Sequence, residues 1–167
     1  VTGSFSIGGL IGLNDHDGQI AYSYSTGAVT GDGYVGGLVG ESYYGTIANA
    51  YVTGAVSGDF DTGGLVGRVG LSTHSQEDEA IVSNSYWDTQ TTGQSDAVGA
   101  FRRGDGTVEL RGDIAGFTTA EMRGDSAKEQ MEAFDFNQTW QTAIAPDGYP
   151  ILHWQEAGTD SSQTEGF

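Results

Sequence analysis

Cysteine is absent from the 167 residues, and lysine occurs once, at Lys128. The first absence excludes a disulfide framework and any thiolate metal site, though it does not fix a compartment. The second belongs to a wider shortage of positive charge: 6 Lys and Arg stand against 23 Asp and Glu, a formal charge of −17. A surface of that sign repels phosphate backbones and anionic lipid, so nucleic acid and membrane headgroups drop out as partners. No apolar stretch reaches the roughly 18 residues of a membrane span. The chain opens VTGSFSIGG, with neither a starting methionine nor a basic segment leading into an apolar run. That opening is expected of a fragment or a processed piece, with any signal peptide outside the sequence.

The acidity that remains is dispersed. Asp and Glu run from Asp15 to Glu165, and their longest unbroken run is Glu77-Asp78-Glu79. Such a surface, nearly free of lysine, suits a protein kept soluble where salt screens charge heavily, which predicts a halophilic source. With 37% hydrophobic and 11% aromatic residues in 17.5 kDa, the chain has the means to bury a core.

The strongest signal is an internal repeat. IGGLIG at 7–12 returns as VGGLVG at 35–40 and TGGLVG at 62–67. Gly18 to Gly31 (GQIAYSYSTGAVTG) and Gly45 to Gly58 (GTIANAYVTGAVSG) align without a gap at an offset of 27. The opening VTGSFS matches VTGAVS at 52–57, which reads as the start of an earlier copy. A further copy, VSNSYWDTQTTG from Val82, follows an acidic insert around His74 to Glu79.

Runs of three to five β-prone residues between glycines cannot form an independent sheet, but stacked copies can pair strand on strand. The expected fold is an all-β short solenoid of about three rungs with a 27-residue repeat. A sandwich or barrel is the competitor, since short strands at regular spacing serve those folds too. Identity at a fixed offset favours the solenoid. Three internal ladders follow: Ile20, Ile47 and Val82; Leu10, Leu38 and Leu65; Val29 and Val56, continued by Phe5. The glycines are expected at corners, where the backbone turns or takes positive φ. Tyr24, Tyr51 and Tyr86 repeat as well, with their direction left open.

The boxes IGGLIG, VGGLVG and TGGLVG, with IANAYVTGAV and the degenerate IAYSYSTGAV, resemble the GLUG-motif repeat over roughly residues 1–93. The NSYWD segment at 84–88, TTAEM at 118–122 and GYPILHW at 148–154 resemble the endings of such arrays. The resemblance implies a large secreted or cell-surface protein of adhesin type, sometimes beside enzymatic modules. It transfers no catalytic residue.

After Gly93 the repeat stops. Thr118 stands three before Glu121, and Ser126 three before Glu129, both capping-box spacings. They predict short helices over 119–123 and 127–134, the second placing Met131 and Phe134 on one face with Ala127. Residues 94–154 read as a C-terminal cap over an otherwise open solenoid end, and 155–167 as a flexible acidic tail or linker.

Sharper chemistry finds little footing. VGGLVGES and TGGLVGRV lack the Lys-Ser/Thr pair of a phosphate loop and feed no helix. Asp15-His16-Asp17-Gly18 and Asp59-Phe60-Asp61 set carboxylates at alternate positions, which raises calcium, yet neither has the further ligands of an EF-hand loop. His16, His74 and His153 sit in unrelated segments, against a zinc site. Asp32 and Asp59 recur at the repeat offset, but Glu41 becomes Arg68 in the next copy, so no second carboxylate ladder pairs with the first. Tyr22, Tyr24, Tyr43, Tyr44 and Tyr51 are candidates for stacking on glycans, although strand tyrosines commonly serve packing. Asn137-Gln138-Thr139 is an N-x-T sequon, relevant only to an exposed site in a secreted chain.

The sequence thus points to a non-catalytic extracellular structural or adhesive module of a larger cell-surface protein of a halophile. No catalytic, cofactor or metal residue is assigned. Its partners are expected to be neighbouring domains of the same polypeptide, other surface proteins or glycans. The alternative is an accessory carbohydrate-binding domain of a secreted polysaccharide-active enzyme. Leu38→Asp should unfold the domain, because it buries an unpaired charge in the shared core. Near-native melting of that variant in high salt would refute the solenoid.

Overall fold

The computed structural model describes residues 1–70, 80–102, 108–143 and 148–156. They fall into two compact units, Val1–Thr119 and Ala120–Phe167. The histidine at 74, the surrounding acidic insert and the tail from 157 lie outside the described residues.

The first unit is a parallel β-solenoid of about four turns. Turn one lays down β1 (Thr2–Gly8), β2 (Ile11–Asp15) and β3 (Gln19–Ser25). Turn two repeats this with β4 (Val29–Gly36), β5 (Val39–Tyr43) and β6 (Thr46–Val52), and turn three with β7 (Val56–Gly63), β8 (Val66–Gly70) and β9 (Ala80–Asp88). A short helix, α1 (Thr89–Thr92), then precedes β10 (Val98–Arg102) and β11 (Val108–Phe117). Equivalent strands pair into three faces, here called A (β1-β4-β7), B (β2-β5-β8-β10) and C (β3-β6-β9-β11). The rungs therefore run on past Gly93. The fourth was hidden in the sequence because β10 and β11 carry no GGLVG box, and backbone pairing alone aligns them.

Side chains at matching positions stack as the repeat requires. Ile20 pairs with Ile47 and Ile47 with Val82, and all three are buried. Leu38 N–H donates to Leu65 O at 2.9 Å, and both leucines are fully buried. Their first-rung equivalent, Leu10, is 48% exposed, since no described rung lies beneath it. The main core joins these ladders to Val39, Val52, Val66, Val69 and Trp87. Each such side chain contributes roughly 1.5–3 kcal/mol on burial. Val29, Val35 and Val56 form a smaller cluster with Ile7 against it.

One sequence expectation is corrected here and a second is narrowed. Phe5 does not continue the Val29–Val56 ladder: Thr2 pairs with Thr30 and Phe5 with Gly33, and Gly33 with Phe60. The opening VTG thus aligns with Val29-Thr30-Gly31, rather than with the same tripeptide at Val52. The box glycines do mark corners, with Gly9, Gly37 and Gly64 at the bends between faces A and B, but none of them takes positive φ. In the first three turns the left-handed positions fall on non-glycine residues, Ser6/Tyr34/Asp61, His16/Tyr44 and Tyr22/Asn49/Asn84, with φ from 45° to 58°, and in the fourth Gly112, at 67°, lies opposite Asn84.

The glycines answer a different need. A Cβ on Gly36 would stand 2.0 Å from Val39 O and 2.6 Å from Gly67 N, and one on Gly63 would stand 2.6 Å from Gly99 N. A Cβ on Gly40 would meet Ser6 C at 2.3 Å, and one on Gly67 would meet Tyr34 C at 2.3 Å. Backbone faces backbone at each of these places, and only a hydrogen fits between.

NSYWD also acquires a physical role. Buried Asp88 caps α1, accepting from Gln90 N at 2.9 Å and Thr91 N at 3.0 Å, and its other oxygen accepts from Thr119 Oγ1 at 2.7 Å. Trp87 Nε1 donates to Gln94 O at 2.9 Å. Together they turn the chain out of β9 and return it to face B.

The second unit contains α2 (Gly124–Gln130), the two-residue antiparallel pair β12 (Trp140–Gln141) and β13 (Ile151–Leu152), and α3 (His153–Glu156). Residues 119–122 form turns rather than the first expected helix, since their capping-box threonine is followed by too few residues before Gly124. The second helix starts earlier than expected, with Arg123 rather than Ser126 at its N-cap and no side-chain cap bond. Met122, Ala127, Met131 and Trp140 are fully buried, and Phe134 stacks on Trp140 at 4.4 Å.

Gly36→Ala should destabilise the coil by about 3 kcal/mol, because rigid backbone blocks the new methyl group. Asn49→Gly, at a corner that already has positive φ, should change stability by less than about 1 kcal/mol. Urea denaturation of both variants in molar salt measures the contrast; equal effects would show that lack of space is not what requires glycine at 36.

Candidate functional site

One column of corner residues, Ser6, Tyr34 and Asp61, runs up face A. Beside it on face B runs the paired column Leu13, Glu41, Arg68 and Ala100. On the first two rungs the corner side chain meets the face B residue of the next rung. Ser6 Oγ donates to Glu41 Oε2, and Tyr34 lies with its ring centroid 3.5 Å from Arg68 Cζ. The next such partner for Asp61 is Ala100, whose methyl group offers nothing polar, so Asp61 bonds to Arg68 within its own rung.

Arg68 is the hub. Its Nε donates to Asp61 Oδ2 at 2.8 Å, its Nη2 donates to the same oxygen, and its Nη1 lies 3.9 Å from Glu41 Oε1. Tyr43 OH donates to Glu41 Oε1 at 2.8 Å. The Arg68, Asp61 and Glu41 side chains are only 17%, 21% and 11% exposed, so water screens this cluster weakly. Burial works against the guanidinium charge, but hydrogen bonding to Asp61 and its charge, joined by Tyr34, prevail and raise the Arg68 pKa. The change from Glu41 to Arg68, read in the sequence only as a broken carboxylate ladder, builds a cross-rung ion pair.

Aromatic side chains surround the cluster. Phe5, Tyr34 and Phe60 pack mutually at centroid distances of 5.5, 5.5 and 5.8 Å, while Phe5 and Phe60 stay about half exposed. The Phe60 ring reaches across because its neighbour on the preceding rung is Gly33, where a Cβ would stand 2.4 Å from the ring. An open cleft of about 430 Å³ is lined by Tyr34, Asp61, Arg68, Ala100 and Phe101, the last of these 48% exposed. Sequence reasoning missed this set. Its signals were the charge reversal at Arg68 and the phenylalanines at 60 and 101, which occupy positions held by glycine and valine in neighbouring rungs.

The tyrosines proposed for glycan stacking do not share a surface. Tyr51 is buried, with Tyr24 stacked on it at 5.0 Å and 5°; Tyr86, next in the column, is buried against Phe117 and donates to Asp113. Tyr43 is engaged with Glu41, Tyr44 faces His16 at 6.0 Å, and Tyr22 is exposed at a corner. Asp15 accepts from His16 N at 2.9 Å and pairs with its ring, Asp61 is held by Arg68, and Asp32 and Asp59 point to solvent. Among the described residues no group of three or more His, Cys, Asp or Glu could hold a metal ion. No helix among them is long and apolar enough to cross a membrane. Asn137 is exposed in a turn organised by Asp135, whose Oδ1 accepts from Asn137 N at 2.9 Å and Gln138 N at 3.1 Å.

The GLUG motif matches the chain twice, over residues 3–30 and 31–57, and each match covers one turn of the coil. Halomucin of Haloquadratum walsbyi is 35% identical over 179 aligned residues, which cover 92% of this chain. The chain spans only 2% of that relative's length. No solved structure matches it.

A double-mutant cycle between Arg68→Met and Asp61→Asn should give a coupling of about 1.5–3 kcal/mol, the range for hydrogen bonds to charged groups. The Arg68→Met and Glu41→Gln cycle should give less than half of that. Equal couplings from thermal melts would show that the 2.8 Å contact does not dominate the 3.9 Å approach.

Proposed function

The chain is a GLUG-motif repeat protein, and on that premise we propose that it serves as a non-catalytic structural and adhesive module of a larger cell-surface protein of a halophile. The observation that carries this reading is the in-register stacking of near-identical rungs. Repeated positions go to core ladders and close-packed glycines, while the variable positions between them face outward. Such an object holds a surface at a fixed spacing, and its function lies in what that surface presents.

Support comes from three further directions. The relative's name, Halomucin, and its halophilic archaeal source agree with the dispersed acidity of this chain. The recurring carboxylates of this chain, Asp32 and Asp59, stand exposed at equivalent positions of adjacent rungs, a pair held in water rather than in a recessed site. Finally, an exposed aromatic cluster on so polar a chain marks a place of contact. The alternative of an accessory domain on a polysaccharide-active enzyme draws no support from that relative.

Protease shaving of intact cells in their growth salt tests the reading. Peptides from 1–119 should be released without lysis, and the purified chain should adhere to cells when coupled to beads. Recovery of the chain only in the soluble fraction of lysed cells would refute it.

A further inference from the structure

Face A ends at β7 while face B continues to β10, so the fourth rung has no strand on face A among the described residues. Where that strand's corner would stand, above Asp61 and beside Ala100, the cleft opens. The corner-to-face-B contact made on the lower rungs, Ser6 to Glu41 and Tyr34 to Arg68, is missing here because Ala100 is too short to make it. We propose that this cleft binds a neutral pyranose sugar, with the ring's C–H face on Phe101 and its hydroxyls between Asp61 and Arg68.

The chemistry of the wall selects that class. Asp61 spends only Oδ2 on Arg68, which leaves Oδ1 to accept from a hydroxyl. Arg68 commits Nε and Nη2 to Asp61 and is also engaged by Tyr34, while Nη1 lies 3.9 Å from Glu41, beyond hydrogen-bond distance, and can donate to a second oxygen. A fixed acceptor and donor side by side match two adjacent sugar hydroxyls, and their mutual ion pair holds both in place before a ligand arrives. Phe101 supplies a half-exposed ring, and beyond Tyr34 the aromatic surface continues to Phe60 and Phe5. A volume of about 430 Å³ lies in the range of small-ligand sites.

Other occupants fit less well. Sulfated or uronic sugars meet Asp61, Glu41 and a chain charge of −17. A peptide strand added to the edge of β7 finds its ends already engaged: Gln94 Nε2 donates to Val56 O, and Gly64 N donates to Asp96 O. A purely apolar ligand would have to cover the ion pair.

The inference names a ligand class for the adhesive role proposed above and rests on that reading for its setting. The test is an amide-resolved NMR titration of the full chain in molar potassium chloride. The probes are glucose, galactose, mannose and their short oligomers, with glucuronate and an unrelated basic peptide for comparison. At least one neutral sugar should give saturable shifts centred on Asp61, Arg68, Ala100 and Phe101. Phe101→Ala should weaken it about tenfold or more, the loss of roughly 1.4 kcal/mol of stacking. Asp61→Asn keeps a side chain that tolerates the corner conformation and should weaken it severalfold, while Tyr22→Ser, distant in the register, should leave it unchanged.

Three results would overturn the inference: no saturable shift from any neutral sugar, shifts that persist unaltered in Phe101→Ala, or tighter binding of glucuronate or peptide at the same residues. A chain that binds sugar here yet is never shaved from intact cells would keep the inference and lose the surface assignment. A shaved chain blind to every sugar would do the reverse.

Discussion

Parallel backbone pairing from rung to rung is the interaction on which everything else in the coil depends. It sets a spacing of about 4.8 Å between equivalent residues, and that spacing obliges each ladder to be filled by side chains that tolerate their own kind above and below. Isoleucine on isoleucine and valine, leucine on leucine and tyrosine on tyrosine satisfy it. The same spacing leaves no room for a Cβ where the end of a face A strand and the start of the next face B strand fold onto neighbouring backbone. Glycine is therefore required at Gly36, Gly40, Gly63 and Gly67 by volume, while Ser, Tyr, Asp, Asn and His absorb the left-handed bends of the first three turns.

That division of labour explains what the sequence disclosed and what it withheld. The ladders of Ile20, Ile47 and Val82 and of Leu38 and Leu65 were legible because the repeat offset carries register directly. The corners at Gly9, Gly37 and Gly64 were legible, but not why glycine stands there, because its two physical uses, positive φ and absent bulk, leave the same mark in a sequence. The first rung was misaligned because VTG occurs at residues 1, 29 and 52, on two different faces, and a tripeptide cannot distinguish them. The fourth rung was invisible because pairing to β8 and β9 needs no box. Capping-box spacing at Thr118 overstated a helix, since a cap without length to follow cannot repay nucleation. The candidate site was the least legible part. Its members come from β4, β7, β8 and β10, and only the rung spacing brings them together.

The electrostatic pattern repeats the theme. A chain with few cations places one of them, Arg68, at a half-buried junction where two carboxylates and a tyrosine ring share it. Other carboxylates of the coil, Asp17, Asp32 and Asp59 among them, point to solvent and contribute hydration. The few charges that organise structure are thus separate from the many that keep the surface wet.

The truncated face A has a mechanical consequence. A coil of this kind resists tension one turn at a time, because a force drawn along the chain peels the terminal rung before it loads the next. Turns one to three are each stitched on three faces, whereas among the described residues the fourth is stitched on two. Pulling through the chain beyond Phe117 meets that lighter turn first. It yields at a lower force than the rungs behind it, lengthening the molecule while the fully paired rungs stay closed.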